Sequence, residues 1–174
     1  DAHPDRRASV NGTLTVGEMT VRALHVADQH YEVTGEGYGP DGEVQIDGQK
    51  TDERHAAPLL ELATVLLGCN NAHLVQDDGI WKAVGDPTEG ALVVLAAKGG
   101  VDPVLTRERY PRIAEVPFDA AYKFMATFHN VPAPTGGTRL VELVKGGPDV
   151  VLDRCTTMLT DDGKHLYVSW DEYH

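Results

Sequence analysis

Basic residues are what this chain is short of. Fifteen Lys and Arg stand against 27 Asp and Glu in 174 residues, giving a formal net charge of −12 and a pI near 4.9. A nucleic-acid binder draws its affinity from surplus Lys and Arg set against phosphates, so that class is excluded. A single nucleotide is not excluded, because one or two local lysines outweigh a distant negative field that salt screens. Cysteine is scarce too. Cys69 and Cys155 lie far apart with no CxxC spacing, which reads as buried reduced thiols in a reducing compartment. No apolar run approaches the roughly 18 residues that cross a bilayer, so direct membrane insertion is not expected. The polar start DAHPDRRASV shows no signal peptide.

Several chemical signatures are missing as well. There is no GxxxxGK[ST] phosphate loop and no GxSxG nucleophile elbow. The histidines, among them His25, His55, His73 and His129, stand alone without metal-ligand spacing, so no metal site is expected. Gly37–Gly42 formally matches GxGxxG, but Pro40 removes an amide and no apolar helix follows. No catalytic set is therefore assigned.

What is present is a globular composition, 41% hydrophobic and 24% charged, in a length suited to one domain. Residues 1–12 lack periodicity and read as a leader or entry segment. Met19–Ala27 and His30–Thr34 predict a strand pair across Asp28-Gln29, and Gly35–Gly48 a loop or surface hairpin. A helix is expected over Asp52–Gly68, with Leu59, Leu62, Ala63, Leu66 and Leu67 on one buried stripe and Asn70-Asn71 ending it. A hairpin comes next, His73–Gln76 and Ile80–Val84 about Asp77-Asp78-Gly79. Asp86-Pro87-Thr88-Glu89 is N-cap, first helical residue and capping-box chemistry for a helix over Pro87–Lys98. A short polar helix from Asp102-Pro103 to about Tyr110 leads to strands at Arg112–Phe118, Lys123–His129 and Arg139–Lys145. A helix over Pro148–Cys155 with Val150, Val151 and Leu152 inward, a strand over Lys164–Val168 and a helix start at Asp171 complete the chain. Hairpin-paired strands outnumber helices, so the fold class is α+β, an antiparallel sheet with helices packed against it.

The chemistry gathers at three separated places. Glu89 sits in a first helical turn, Phe118 ends one strand with Lys123 and Met125 beginning the next, and Lys145-Gly146-Gly147 ends a third before Pro148. Two glycines leave open backbone beside a lysine. An aromatic face, an apolar sulfur, a carboxylate and two lysines match the needs of an adenine nucleotide. Each residue has a plainer explanation too: Glu89 as a cap, Phe118 and Met125 as core, Lys123 as an edge-strand charge.

Taken in order, TGEGYG…PxGEV, Cys69-Asn70-Asn71, GDPTEGAL, PFDAAYKFM and VKGGPD resemble the nucleotide-binding domain of P-type ATPases. The likeness runs over residues 13–174 and is strongest to the type II branch of calcium- and sodium-pump-like cation transporters, bacterial ones included. It implies ATP as the bound molecule, with Mg2+ required by the full-length enzyme. Glu89 becomes the adenine-side carboxylate and Phe118 the stacking aromatic. Lys123 and Lys145 line the pocket, Met125 falls on a family position, and Gly146 and Gly147 form an open floor. Ala120 stands where relatives often carry a basic residue. Thr13-Leu14-Thr15-x-Gly17-Glu18-Met19-Thr20-Val21 resembles the segment just after the phosphorylated aspartate of such pumps, yet Ser9-Val10-Asn11-Gly12 lacks that aspartate.

The resemblance thus implies a cytoplasmic domain of a plasma-membrane transporter that holds the adenosine end of ATP and does not hydrolyse it alone. Its partners would be the phosphorylation and actuator domains of the parent pump, and in isolation it would be a monomer. A stand-alone phosphohydrolase and a non-enzymatic interaction module that kept the fold are the alternative readings.

Overall fold

The computed structural model describes residues 18–52 and 55–160, and the backbone of 165–167. The leader reading at residues 1–12 and the helix start at Asp171 lie outside the described residues. In chain order the elements are β1 (Ala23–Val26), β2 (Gln29–Val33), β3 (Val44–Ile46), β4 (Gln49–Lys50), α1 (Ala56–Gly68), β5 (His73–Asp77) and β6 (Ile80–Val84). They continue with α2 (Pro87–Lys98), α3 (Pro103–Arg109), β7 (Arg112–Asp119), β8 (Phe124–Pro132), β9 (Thr138–Gly146), α4 (Pro148–Leu152), β10 (Thr157–Leu159) and β11 (His165–Tyr167).

The fold is α+β and its pairing is antiparallel, as expected from the hairpin signals. The expected single sheet is instead several: β1-β2-β3-β4, β7-β8-β9, and the hairpins β5-β6 and β10-β11. Two-residue turns whose backbone twist matches the strands build the early hairpins. Ala27-Asp28, Asp47-Gly48 and Asp78-Gly79 all carry positive φ, from 49° to 80°. The first turn falls one residue earlier than Asp28-Gln29 because Val26 pairs with Gln29.

α1 is the axle. It begins at Ala56, not Asp52, and that places Pro58 in the first turn, where the missing N–H costs no helical bond. Leu59 and Leu66 pack with Tyr31, Val33, Val44 and Leu95 under the first sheet. Ala63 and Leu67 meet Val93 and Ala96 of α2. Val65 reaches Cys69, Met125 and Leu143 beneath the second sheet. Gly68 is small because a Cβ there would collide with Leu143 and crowd the ring of His129. His129 is buried; its Nδ1 donates to the Tyr110 carbonyl at 2.8 Å, which leaves Nε2 to accept from the Thr127 hydroxyl at 2.8 Å.

α4 ends at Leu152 rather than Cys155, and no residue of it is buried; Leu152 is exposed, not inward. The next residues form β10, a strand the apolar pattern of Thr157–Leu159 did not announce. Among the described residues no helix is long and apolar enough to cross a membrane.

Candidate functional site

The N-terminus of α2 sets the first wall. The Asp86 carboxylate accepts from the Thr88 and Glu89 amides at 2.9 and 3.1 Å, and Pro87 occupies the first helical position. This is N-cap chemistry, but the capping box is not made. Glu89 turns outward instead. Its Oε2 accepts from the Asn71 amide at 3.0 Å, and its Oε1 takes the Lys145 ammonium. The pair is half-shielded, with the Glu89 side chain 15% and the Lys145 side chain 23% exposed. Asn70 and Asn71 therefore brace the start of α2 rather than end α1, whose C-cap is Cys69. The Asn70 amide donates to the Glu89 carbonyl at 2.9 Å and its Oδ1 accepts from Ala72 N–H at 2.8 Å.

The second wall comes from the three-stranded sheet. Val116 pairs with Ala126 but Asp119 with Phe124, so β7 carries one residue more than β8 between these pairs. The bulge falls at Pro117-Phe118, where proline has no N–H for the ladder. Phe118 stands 61% exposed there. Met125 is buried with Cys69 and Leu143. Burial pushes the Cys69 thiol up, which keeps it protonated, and its Sγ donates to the Met125 carbonyl.

Between the walls lies a cleft of about 640 Å³, lined by Glu89, Leu92, Phe118, Met125, Lys145 and Gly146, with Asn71, Asp86 and Thr88 at its polar side. That volume suits a small ligand. The structure so brings together Glu89, Phe118, Met125, Lys145 and Gly146 from four elements, α2, β7, β8 and β9.

Lys123 and Gly147 are not among the lining residues. Lys123 precedes β8 at φ 56°, a left-handed conformation unfavourable for a side-chain-bearing residue, and its ammonium pairs with Asp149 at 2.9 Å. The Lys123 hydrogen bond holds the Asp149 carboxyl below its ordinary pKa. The two glycines also have structural roles of their own. A Cβ on Gly146 would sit against the Lys123 carbonyl and within 2.6 Å of the Phe124 Cβ, so this glycine is demanded by β8 packing behind it. Gly147 is the N-cap of α4 and donates its N–H to the Lys123 carbonyl at 2.8 Å.

A profile described as P-type ATPase, cytoplasmic domain N, matches residues 58–170. The chain belongs to this family. It is 40% identical over 167 residues to the cation-transporting ATPase pma1 of Synechocystis sp., covering 92% of this chain and 18% of the relative. It is 36% identical over 157 residues to the probable cation-transporting ATPase F of Mycobacterium tuberculosis, covering 90% and 17%. The calcium-transporting ATPase of Bacillus subtilis is 31% identical over 156 residues, again 90% and 17%. The chain thus spans less than a fifth of the length of these relatives.

Within the N domain, sequence reasoning missed Thr88 and Leu92 as lining residues, and Asn71 as the donor that orients Glu89. The Cys69-Asn70-Asn71 motif was the available signal. Arg107 and Arg112, which hold that motif from behind, gave none. Arg107 donates to the Leu67 and Ala72 carbonyls at 3.1 and 2.7 Å, and burial lowers its pKa.

Proposed function

We propose that this domain binds ATP by its adenosine end, with the adenine ring on Phe118 and against Met125 and Leu92. Glu89 accepts from the exocyclic amine, since each carboxylate oxygen keeps a lone pair beyond its present partner. Lys145 orients the nucleotide by charge, and Lys123 reaches it after leaving the exposed Asp149, a pairing worth little in water. The observation that carries this reading is the meeting of an exposed aromatic, a buried thioether and a carboxylate–lysine pair in one cleft. The γ-phosphate then points away, to an aspartate on a separate phosphorylation domain, where transfer rests on positioning and charge neutralisation. Mg2+, required by the full-length enzyme, belongs with that reacting end. On this reading the parent is a cation pump of the plasma membrane, its actuator and phosphorylation domains are the partners, and this monomeric domain alone hydrolyses nothing.

NMR titration with ATP and with AMP tests the reading. Saturable shifts are expected at Glu89, Phe118, Met125 and Lys145, and their absence would sink it. Phe118→Ala should remove ~1–3 kcal/mol of binding, as loss of aromatic stacking does elsewhere. Turnover of a phosphate ester by the isolated chain with Mg2+ would point instead to the phosphohydrolase reading.

A further inference from the structure

Arg112 opens β7 at the strand's other bulge: it pairs with His129 while Ala114 pairs with Phe128, two residues against one. From there its guanidinium reaches back under the C-terminal end of α1. One Nη donates to the Gly68 and Asn70 carbonyls at 2.8 and 2.7 Å; the other donates to Asn71 Oδ1 at 2.6 Å and to Glu115 at 2.7 Å. Only a planar fork of donors serves so many acceptors at once. A plain helix-ending role does not account for this pattern. Arg107 already anchors both ends of the segment through the Leu67 and Ala72 carbonyls. What Arg112 holds is the interior, Asn70 and Asn71, and these two residues grip Glu89, one by its carbonyl and one by its carboxylate.

We propose that Arg112 is a positioning residue for the cleft: through Asn70 and Asn71 it aims the Glu89 carboxylate at a ligand's amino group and so sets selectivity for an amino-purine over an oxo-purine. The inference rests on the adenosine reading above. With Arg112 cut back, Arg107 still ties the segment to α3, so the fold persists. The Asn71 amide then wanders, and Glu89 keeps Lys145 on Oε1 but loses the backbone donor that fixes Oε2. A purine amine gains less from a carboxylate that is not preorganised, whereas an oxo group facing it was never a partner.

The test compares AMP and IMP, which carry an amine and an oxo group at C6 and of which only IMP bears a proton on N1, by NMR titration of the wild-type chain and of Arg112→Met. The wild type should favour AMP by about tenfold, the worth of one hydrogen bond to a charged group. In Arg112→Met that ratio should fall to about threefold or less, with IMP affinity nearly unchanged. An AMP:IMP ratio that stays at the wild-type value overturns the inference, whether both affinities hold or both fall together; the latter marks a merely structural role. If Arg112→Met does not fold, Arg112→Lys carries the test, since it keeps the charge without the fork: a reduced ratio supports the inference and an unchanged one overturns it. Wild type that binds neither nucleotide overturns the adenosine reading itself, and this inference with it.

Discussion

Neighbouring residues of one motif can be chosen for opposite reasons, as Gly146 and Gly147 show. Gly146 faces Phe124 across β8 and β9, and any side chain there meets the backbone of Lys123. Gly147 has an ordinary φ of −59°, and the nearest atom to an added Cβ belongs to the exposed side-chain end of Asp149. Gly146→Ala should therefore cost about 1–3 kcal/mol of stability through overpacking, and Gly147→Ala well under that. Urea denaturation of the two variants measures the difference, and equal effects would refute the packing account. Glu89 makes a related point. Its position in the helix suits a capping box, but the nearby Asn71 amide and Lys145 ammonium give its carboxylate better partners. The backbone N–H of a cap matches the Asn71 amide, but only Lys145 adds an opposite charge.

At the scale of elements, the site depends on where α2 starts and on where β7 is irregular. Asp86 fixes the helix start by accepting two amides, one of them from Glu89 itself. Asp86→Ala should lower stability by about 1 kcal/mol and also weaken AMP binding, because the frayed first turn carries Glu89. Chemical denaturation and titration of the same variant check both parts. Stability lost with AMP affinity unchanged would show that the cap does not serve the cleft. The bulges on β7 place Arg112 behind the cleft and Phe118 at its mouth. α4, by contrast, is a short helix with no buried residue.

For the whole molecule, α1 links the clusters under the first sheet, against α2 and under the second sheet. Leu67 is fully buried in the cluster against α2, a turn before the segment that holds Glu89. Leu67→Ala should cost about 2–5 kcal/mol. Thermal denaturation should show that loss in one cooperative transition, whereas separate transitions for the two sheets would contradict α1 as a shared axle.

Most elements were legible because their signals are local. The Asp86-Pro87 start of α2, the Asp-Gly turn of β5-β6 and the leucine spacing of α1 act within a few residues of themselves. The cleft was legible in composition: Glu89, Phe118, Met125 and Lys145, which line it, could be named in advance because their chemistry fits one ligand class and their motifs resemble one family. Pairing could not be read. Nothing local says that Lys145 meets Glu89, that Lys123 turns to Asp149, or that Arg112 holds the asparagines. These contacts depend on strand register, on bulges and on which helix ends come together. Local backbone preference and hydrophobic period are properties of the chain alone. Partner choice among charged groups is decided only when burial removes water and leaves each group with the acceptors that packing has placed beside it.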